Sequence, residues 1–178
     1  CNRFLTMISR EKIPSAGPWI TEKEIAYATE ATRSGWYSDY RLWTERFEEG
    51  FAGYLGGKYA LATSSCTGAL HLALAVNDIN AGDEVIVPDI SWVATANVVR
   101  YLGAEPVFVD VRLGDWNIDP AKIEAAITPK TKAIFPVHLY GHAADMEAIC
   151  AIAEKYDLLV VEDACPAVGS NIGGKLMG

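Results

Sequence analysis

Asp163 stands directly beyond the apolar run Leu158-Leu159-Val160-Val161 and Glu162. A carboxylate set there either caps the next turn or holds a cationic ligand atom. A protonated heterocyclic nitrogen suits it, because a charge-assisted bond in a shielded site keeps both groups ionised. Upstream, Ser64-Ser65-Cys66-Thr67-Gly68 opens a helical pattern. Small residues let the backbone approach a ligand, and first-turn N–H groups with hydroxyls make an anion site. An ordinary N-cap needs only one such hydroxyl, so both readings stand. Trp92, in Ser91-Trp92-Val93-Ala94-Thr95, can stack on a planar ring or serve as a packing residue.

Other chemistries have less to work with. His138 and His142 are four apart, a spacing that suits a metal only on a helix. Gly141 argues for a loop and no third ligand accompanies them, so no metal is expected. His71 lies among leucines and alanines and reads as structural. The chain has no Walker loop, no dinucleotide glycine fingerprint and no local signature of a nucleophilic triad.

These residues need elements to place them. Thr21 and Glu24 fit a capping box for a helix running to about Ser34, which Gly35 ends. Phe47, Phe51 and Leu55 recur every four residues, predicting a second helix over 44–55 that Gly56-Gly57 stops. From Lys58 the pattern alternates. Strands are expected at 59–63, 84–88, 106–110, 132–137 and 158–162. Helices are expected at 67–76, from a Ser91 cap through Leu102, from an Asp119-Pro120 start to about Ile127, and at 145–156. Strands this apolar, separated by helices, belong to a parallel sheet covered on both faces. Ligands of such sheets sit at the carboxyl ends of the strands, where Thr67, Trp92 and Asp163 fall.

The whole chain has 178 residues, 51% of them apolar and 21% charged, enough for one domain with a real core. Lys and Arg total 15 against 23 Asp and Glu, a net charge of −8. That balance argues against a nucleic-acid or anionic-membrane partner, though a few local donors suffice for one phosphate. No apolar run approaches the ~20 residues that span a bilayer. The opening residues lack a signal-peptide apolar region. Cys1, Cys66, Cys150 and Cys165 have neither metal-ligand nor disulfide-framework spacing, which fits a reduced, cytoplasmic protein.

Read together, the phrases resemble the DegT/DnrJ/StrS-type sugar aminotransferases, of the aspartate-aminotransferase fold of type I pyridoxal-phosphate enzymes. The likeness runs from about Ile13 onward. It is carried by Gly35-Trp36-Tyr37-Ser38, residues 59–74, 82–88, 92–97 and 106–110, Asn117-Ile118-Asp119-Pro120, Thr131-Lys132-Ala133-Ile134, residues 136–141 and Val161-Glu162-Asp163-Ala164. Single phrases are weak; this many in order are specific.

The resemblance implies a three-layer α/β large domain with a mostly parallel central sheet, truncated at its C-terminus. Residues 1–57 would be an N-terminal helical segment and 58–178 a partial domain for pyridoxal 5′-phosphate (PLP), without the rest of the large domain or the small domain. It implies that Thr67 and Gly68 hold the cofactor phosphate, that Trp92 stacks on the pyridine ring, and that Asp163 pairs with the pyridinium nitrogen. Trp36, Tyr37 and Ser38 would lie near the sugar. By the same analogy an amino donor, usually glutamate, loads the cofactor. The amine then passes to a nucleotide-linked keto-deoxy sugar for surface polysaccharide or antibiotic-sugar biosynthesis. A homodimer is implied as well.

Two departures accompany the likeness. The family commonly has Gln or His three residues after the ring-pairing Asp, whereas this chain has Pro166, with no side-chain donor and no N–H. The Schiff-base lysine is expected beyond Gly178, because Lys175 comes too early and sits in a turn phrase. The stretch as given is thus expected to be catalytically incomplete. A sugar dehydratase of the same fold using pyridoxamine phosphate, or a non-catalytic relative, are the alternatives.

Overall fold

The computed structural model describes residues 17–178. Cys1, the opening residues and the start of the similar stretch near Ile13 lie outside them. The chain forms two compact units, one ending at Arg46 and one beginning at Phe47, the division falling inside a helix.

In the first unit α1 spans Glu22–Ser34. Thr21 and Glu24 form the expected capping box, and Gly35 closes the helix by donating to Ala31 O at 2.8 Å. Residues Tyr37–Asp39 make one 3₁₀ turn. Helix α2, Leu42–Leu55, begins here, and in its first turn the Trp43 indole lies 4.5 Å beneath the Arg46 guanidinium.

The second unit carries the sheet. Its elements are α3 (Cys66–Ala75), β1 (Glu84–Pro88), α4 (Ala94–Tyr101), β2 (Glu105–Val109), α5 (Pro120–Ala126), β3 (Thr131–Ile134), α6 (Met146–Tyr156) and β4 (Leu159–Val160). The strands lie in the order β2-β1-β3-β4 and every pair is parallel. A small antiparallel hairpin, β5 (Asn171–Ile172) with β6 (Lys175–Leu176), turns through Gly173 and Gly174, both at positive φ.

Alternation along β1 explains the apolar strands. Val85 and Val87 join Leu70 and Leu74 of α3 and Val98 and Val99 of α4 in one cluster. Ile86 faces the other way, toward Ile123 of α5 and Ile149 of α6. Both faces are therefore dry, giving three layers. The parallel ladder brings Glu84 beside Glu105. Each finds its own partner, Glu84 the Thr128 hydroxyl at 2.6 Å and Glu105 the Arg100 guanidinium.

Besides the shortening of the strands expected at 132–137 and 158–162, three expectations change. Residues 59–63 are not a strand: Leu61 is largely exposed, and the Ala62 N–H donates to the Glu48 carboxylate at 2.9 Å instead of to a neighbouring strand. Backbone groups pair with whatever is adjacent, and no strand runs beside this segment among the described residues. Ser91 does not cap a helix. Helix α4 starts at Ala94 after Val93, so Trp92 precedes the helix instead of lying in its first turn. Helix α3 starts one residue earlier than expected, with Ser65 as its cap, which places Thr67 second in the helix.

β1 has β2 on one side and β3 on the other, and the chain crosses over it between them. The carboxyl edge at that crossover is where open α/β sheets bind ligands.

Candidate cofactor site

A cleft of about 410 Å³ opens at that edge, of the size and largely apolar lining that small-molecule sites have. Its walls come from the start of α3, the segment after β1, the segment after β3 and the turn after β4. Thr67, Trp92 and Asp163 all line it.

Asp163 is placed by backbone pairing. Its N–H donates to Pro136 O at 2.9 Å and its carbonyl accepts from the His138 N–H at 3.1 Å, extending the β3–β4 ladder beyond both strands. The residue is 5% exposed. Thr95 Oγ1 donates to Oδ2 at 2.9 Å, and the Cys165 N–H donates to Oδ1 at 3.2 Å. No Lys, Arg or His among the described residues forms an ion pair with it. A carboxylate so far from water, with donors on both oxygens but no counter-charge, leaves lone pairs for a cation in the cleft.

At the opposite wall, Ser65 Oγ accepts from Gly68 N at 3.1 Å, and Ser65 O from Ala69 N at 3.0 Å. The first turn of a helix has no internal acceptors for its amides, so those of Cys66 and Thr67 remain for an anion. Gly68 lies beside them. An added Cβ there would sit 3.5 Å from Ser65 Oγ, an ordinary contact, so local space does not require glycine. Trp92 is 79% exposed at the cleft wall, open to a ring. Anion site, aromatic and buried carboxylate fit a phosphorylated, ring-protonated pyridine such as PLP.

Sequence reading missed Thr95, the buried donor to Asp163. Its signal was the i, i+4 pairing of hydroxyls at Ser91 and Thr95, whose oxygens are 3.1 Å apart. Cys66 and Cys165 also line the cleft. Burial, the Asp163 charge and a hydrogen bond with Cys165 push the Cys66 thiol up to about 12. Pro166 lies on the same wall, and no lysine is among the lining residues.

Trp36, Tyr37 and Ser38 belong to the unit ending at Arg46. There Trp36 Nε1 donates to Thr32 O at 2.6 Å, Tyr37 takes a left-handed φ of 55° with its ring exposed, and Ser38 Oγ donates to Asp39 at 3.1 Å. His138 is fully buried. Nδ1 accepts from the Ala144 N–H at 3.0 Å, which leaves Nε2 to donate to Glu162 at 2.8 Å. No described group of three His, Cys, Asp or Glu side chains is arranged for a metal.

Comparison with known proteins gives the geometry a lineage. The model of the DegT/DnrJ/EryC1/StrS aminotransferase family matches residues 18–178. The chain belongs to that family. Among relatives of the DegT/DnrJ/EryC1/StrS aminotransferases, it is 47% identical to GDP-perosamine synthase of Caulobacter vibrioides, over 94% of this chain and 45% of that protein. It is 44% identical to the spore coat polysaccharide biosynthesis protein SpsC of Bacillus subtilis, over 93% of this chain and 42% of that one. NtdA from Bacillus subtilis, solved with its bound cofactor PMP, superposes with a TM-score of 0.79 at 40% identity, over 94% of this chain and 40% of that chain. The chain thus spans less than half the length of the curated relatives it matches.

Proposed function

We propose that the protein carrying this chain is a PLP-dependent aminotransferase that moves an amino group from glutamate to a nucleotide-linked keto-deoxy sugar. The observation that carries the reading is Asp163, a buried carboxylate with no counter-charge among the described residues, lining the cleft at the sheet's ligand edge. Relatives named for GDP-perosamine synthesis and for spore-coat polysaccharide support the sugar class. A surface polysaccharide is the destination we favour.

In this reading Thr67 and Gly68, with the free amides of α3, bind the cofactor phosphate. Trp92 covers one face of the ring and excludes water from it. Asp163 holds the proton on the ring nitrogen and keeps it charged. When bound, the cofactor supplies an electron sink and carries the amine between donor and acceptor. Trp36, Tyr37 and Ser38 bind the sugar nucleotide, in a homodimer of the cytoplasm. Free thiols at Cys66, Cys150 and Cys165 suit that reducing compartment. No described helix is long and apolar enough to cross a membrane.

The test incubates the full-length protein with PLP, glutamate and a GDP-linked keto-deoxy sugar, and follows products by mass spectrometry. Formation of the amino sugar with an equivalent of 2-oxoglutarate is the expected result. A product that has lost a hydroxyl and gained no amine would replace transfer by dehydration. Recovery of unchanged sugar across nucleotide-linked keto sugars would remove the proposal.

A further inference from the structure

Thr95 sits in the first turn of α4 and is 1% exposed, so its hydroxyl has no access to solvent. Its single proton goes to Asp163 Oδ2 at 2.9 Å, across 68 residues of sequence. The carboxylate can only accept, so the contact between Ser91 Oγ and Thr95 Oγ1 at 3.1 Å runs the other way, with Ser91 donating. The result is a directed chain from Ser91 through Thr95 to Asp163. Its first and last members line the cleft, and its middle member is sealed behind them.

The Cys165 N–H holds the other carboxylate oxygen at 3.2 Å. Two donors from two different segments fix the plane of the carboxylate, not merely its position. A valine would fill the Thr95 site with the same shape and no polar atom to satisfy, so packing alone does not account for the hydroxyl. Trp92 lies between Ser91 and Thr95 in sequence. The same hydrogen bonds therefore tie the segment bearing the aromatic to the carboxylate that faces the cleft.

We infer that Thr95, seconded by Ser91, is a positioning residue: it holds the Asp163 carboxylate in the orientation that meets the ring nitrogen of PLP or PMP. The inference rests on the assignment of Asp163 to the cofactor made above. Thr95 itself does not touch the cofactor; it acts through Asp163.

The experiment uses the full-length protein and pyridoxamine 5′-phosphate labelled with ¹⁵N in the ring. Affinity is read from tryptophan fluorescence and ring protonation from the ¹⁵N shift. Loss of a hydrogen bond to a charged group predicts about tenfold weaker binding for Thr95→Val, with the ring-nitrogen signal moved toward the neutral pyridine position. Thr95→Ser, which keeps the hydroxyl, is expected to stay within about threefold of wild type on the same measure. Wild-type affinity and an unmoved ring signal in Thr95→Val, while Asp163→Asn loses both, would overturn the role of Thr95 alone. If Asp163→Asn also retains both, the cofactor assignment itself falls, and the inference with it. Should Thr95→Val fail to fold by circular dichroism, Ser91→Ala takes its place. A measurable loss of affinity with a shifted ring signal sustains the inference, and unchanged values overturn it.

Discussion

His138 Nε2 donates to Glu162 Oε2 across 2.8 Å, joining the segment after β3 to the segment after β4. The bond from His138 is the main reason the Glu162 carboxyl lies below its ordinary value of 4.5, against burial, which raises it. A carboxyl depressed in the folded state stabilises the protein above its unfolded value and loses that contribution as pH falls through its folded value. Thermal melts of wild type and Glu162→Gln should therefore converge as the pH drops below about 4.5 and separate above it. A constant separation from pH 3 to pH 7 would show that the bond carries no charge-dependent stability.

Among the three described cysteines, Cys66 should be the slowest to react. With its thiol pushed up to about 12, only about one molecule in ten thousand carries the reactive thiolate at pH 8. Iodoacetamide should modify the exposed Cys150 and Cys165 first, and Cys66 more than about a hundredfold more slowly. Asp163→Asn removes one of the charges that raises it, so Cys66 should react faster in that variant. Peptide mapping by mass spectrometry reads all three rates.

Asp163→Asn in the full-length protein should lower turnover by roughly two or more orders of magnitude while leaving the fold intact. The amide keeps the shape and one acceptor oxygen, for Thr95 or for the Cys165 N–H, but cannot balance a charged ring. Activity near that of wild type would remove Asp163 from the mechanism.

Leu74 is fully buried between α3 and the sheet. Leu74→Ala should cost about 2–5 kcal/mol in urea unfolding, the range for emptying a leucine-sized space in a packed core. A loss under about 1 kcal/mol would mean that this face of the sheet repacks freely.

The Thr21 capping box lies in the other unit, the one ending at Arg46. α1 buries no residue, so its ends matter more than its faces. Thr21→Ala should lower its stability by about 1 kcal/mol, seen as faster amide exchange in the first turn.

Much of this was legible in the sequence because it was local. Thr21, Asp119 and Asp145 announce helix starts within four residues of themselves, and each caps the helix it precedes. The runs at 85–87 and 133–135 are apolar because both their faces are dry. What failed was decided by distant neighbours. Residues 59–63 have strand composition, but a strand exists only where another lies beside it, and Glu48 took the Ala62 N–H instead. The expected strands at 132–137 and 158–162 are shorter because their ladders break at Ile134 and Val160, then resume as the single bridge between Val137 and Asp163. The placement of Thr67, Trp92 and Asp163 along one edge followed from the alternation of strands and helices. The Thr95–Asp163 bond spans 68 residues, and the Ser91/Thr95 hydroxyl spacing hints at a buried hydroxyl without naming its partner.

The position of β1 governs how this sheet is assembled and how it comes apart. Parallel neighbours cannot be joined by a hairpin, so each of its pairings waits on a crossover. β2 returns to β1 after a single helix, whereas β3 arrives only after α5 and the loops around it have been laid down. The nearer pairing closes the shorter loop and costs less entropy, so β1 and β2 should come together first and β3 dock onto them afterwards. Once docked, the amides and carbonyls of β1 are engaged on both sides. In deuterated water its hydrogens should be the last of the sheet to exchange, leaving only when the whole unit opens.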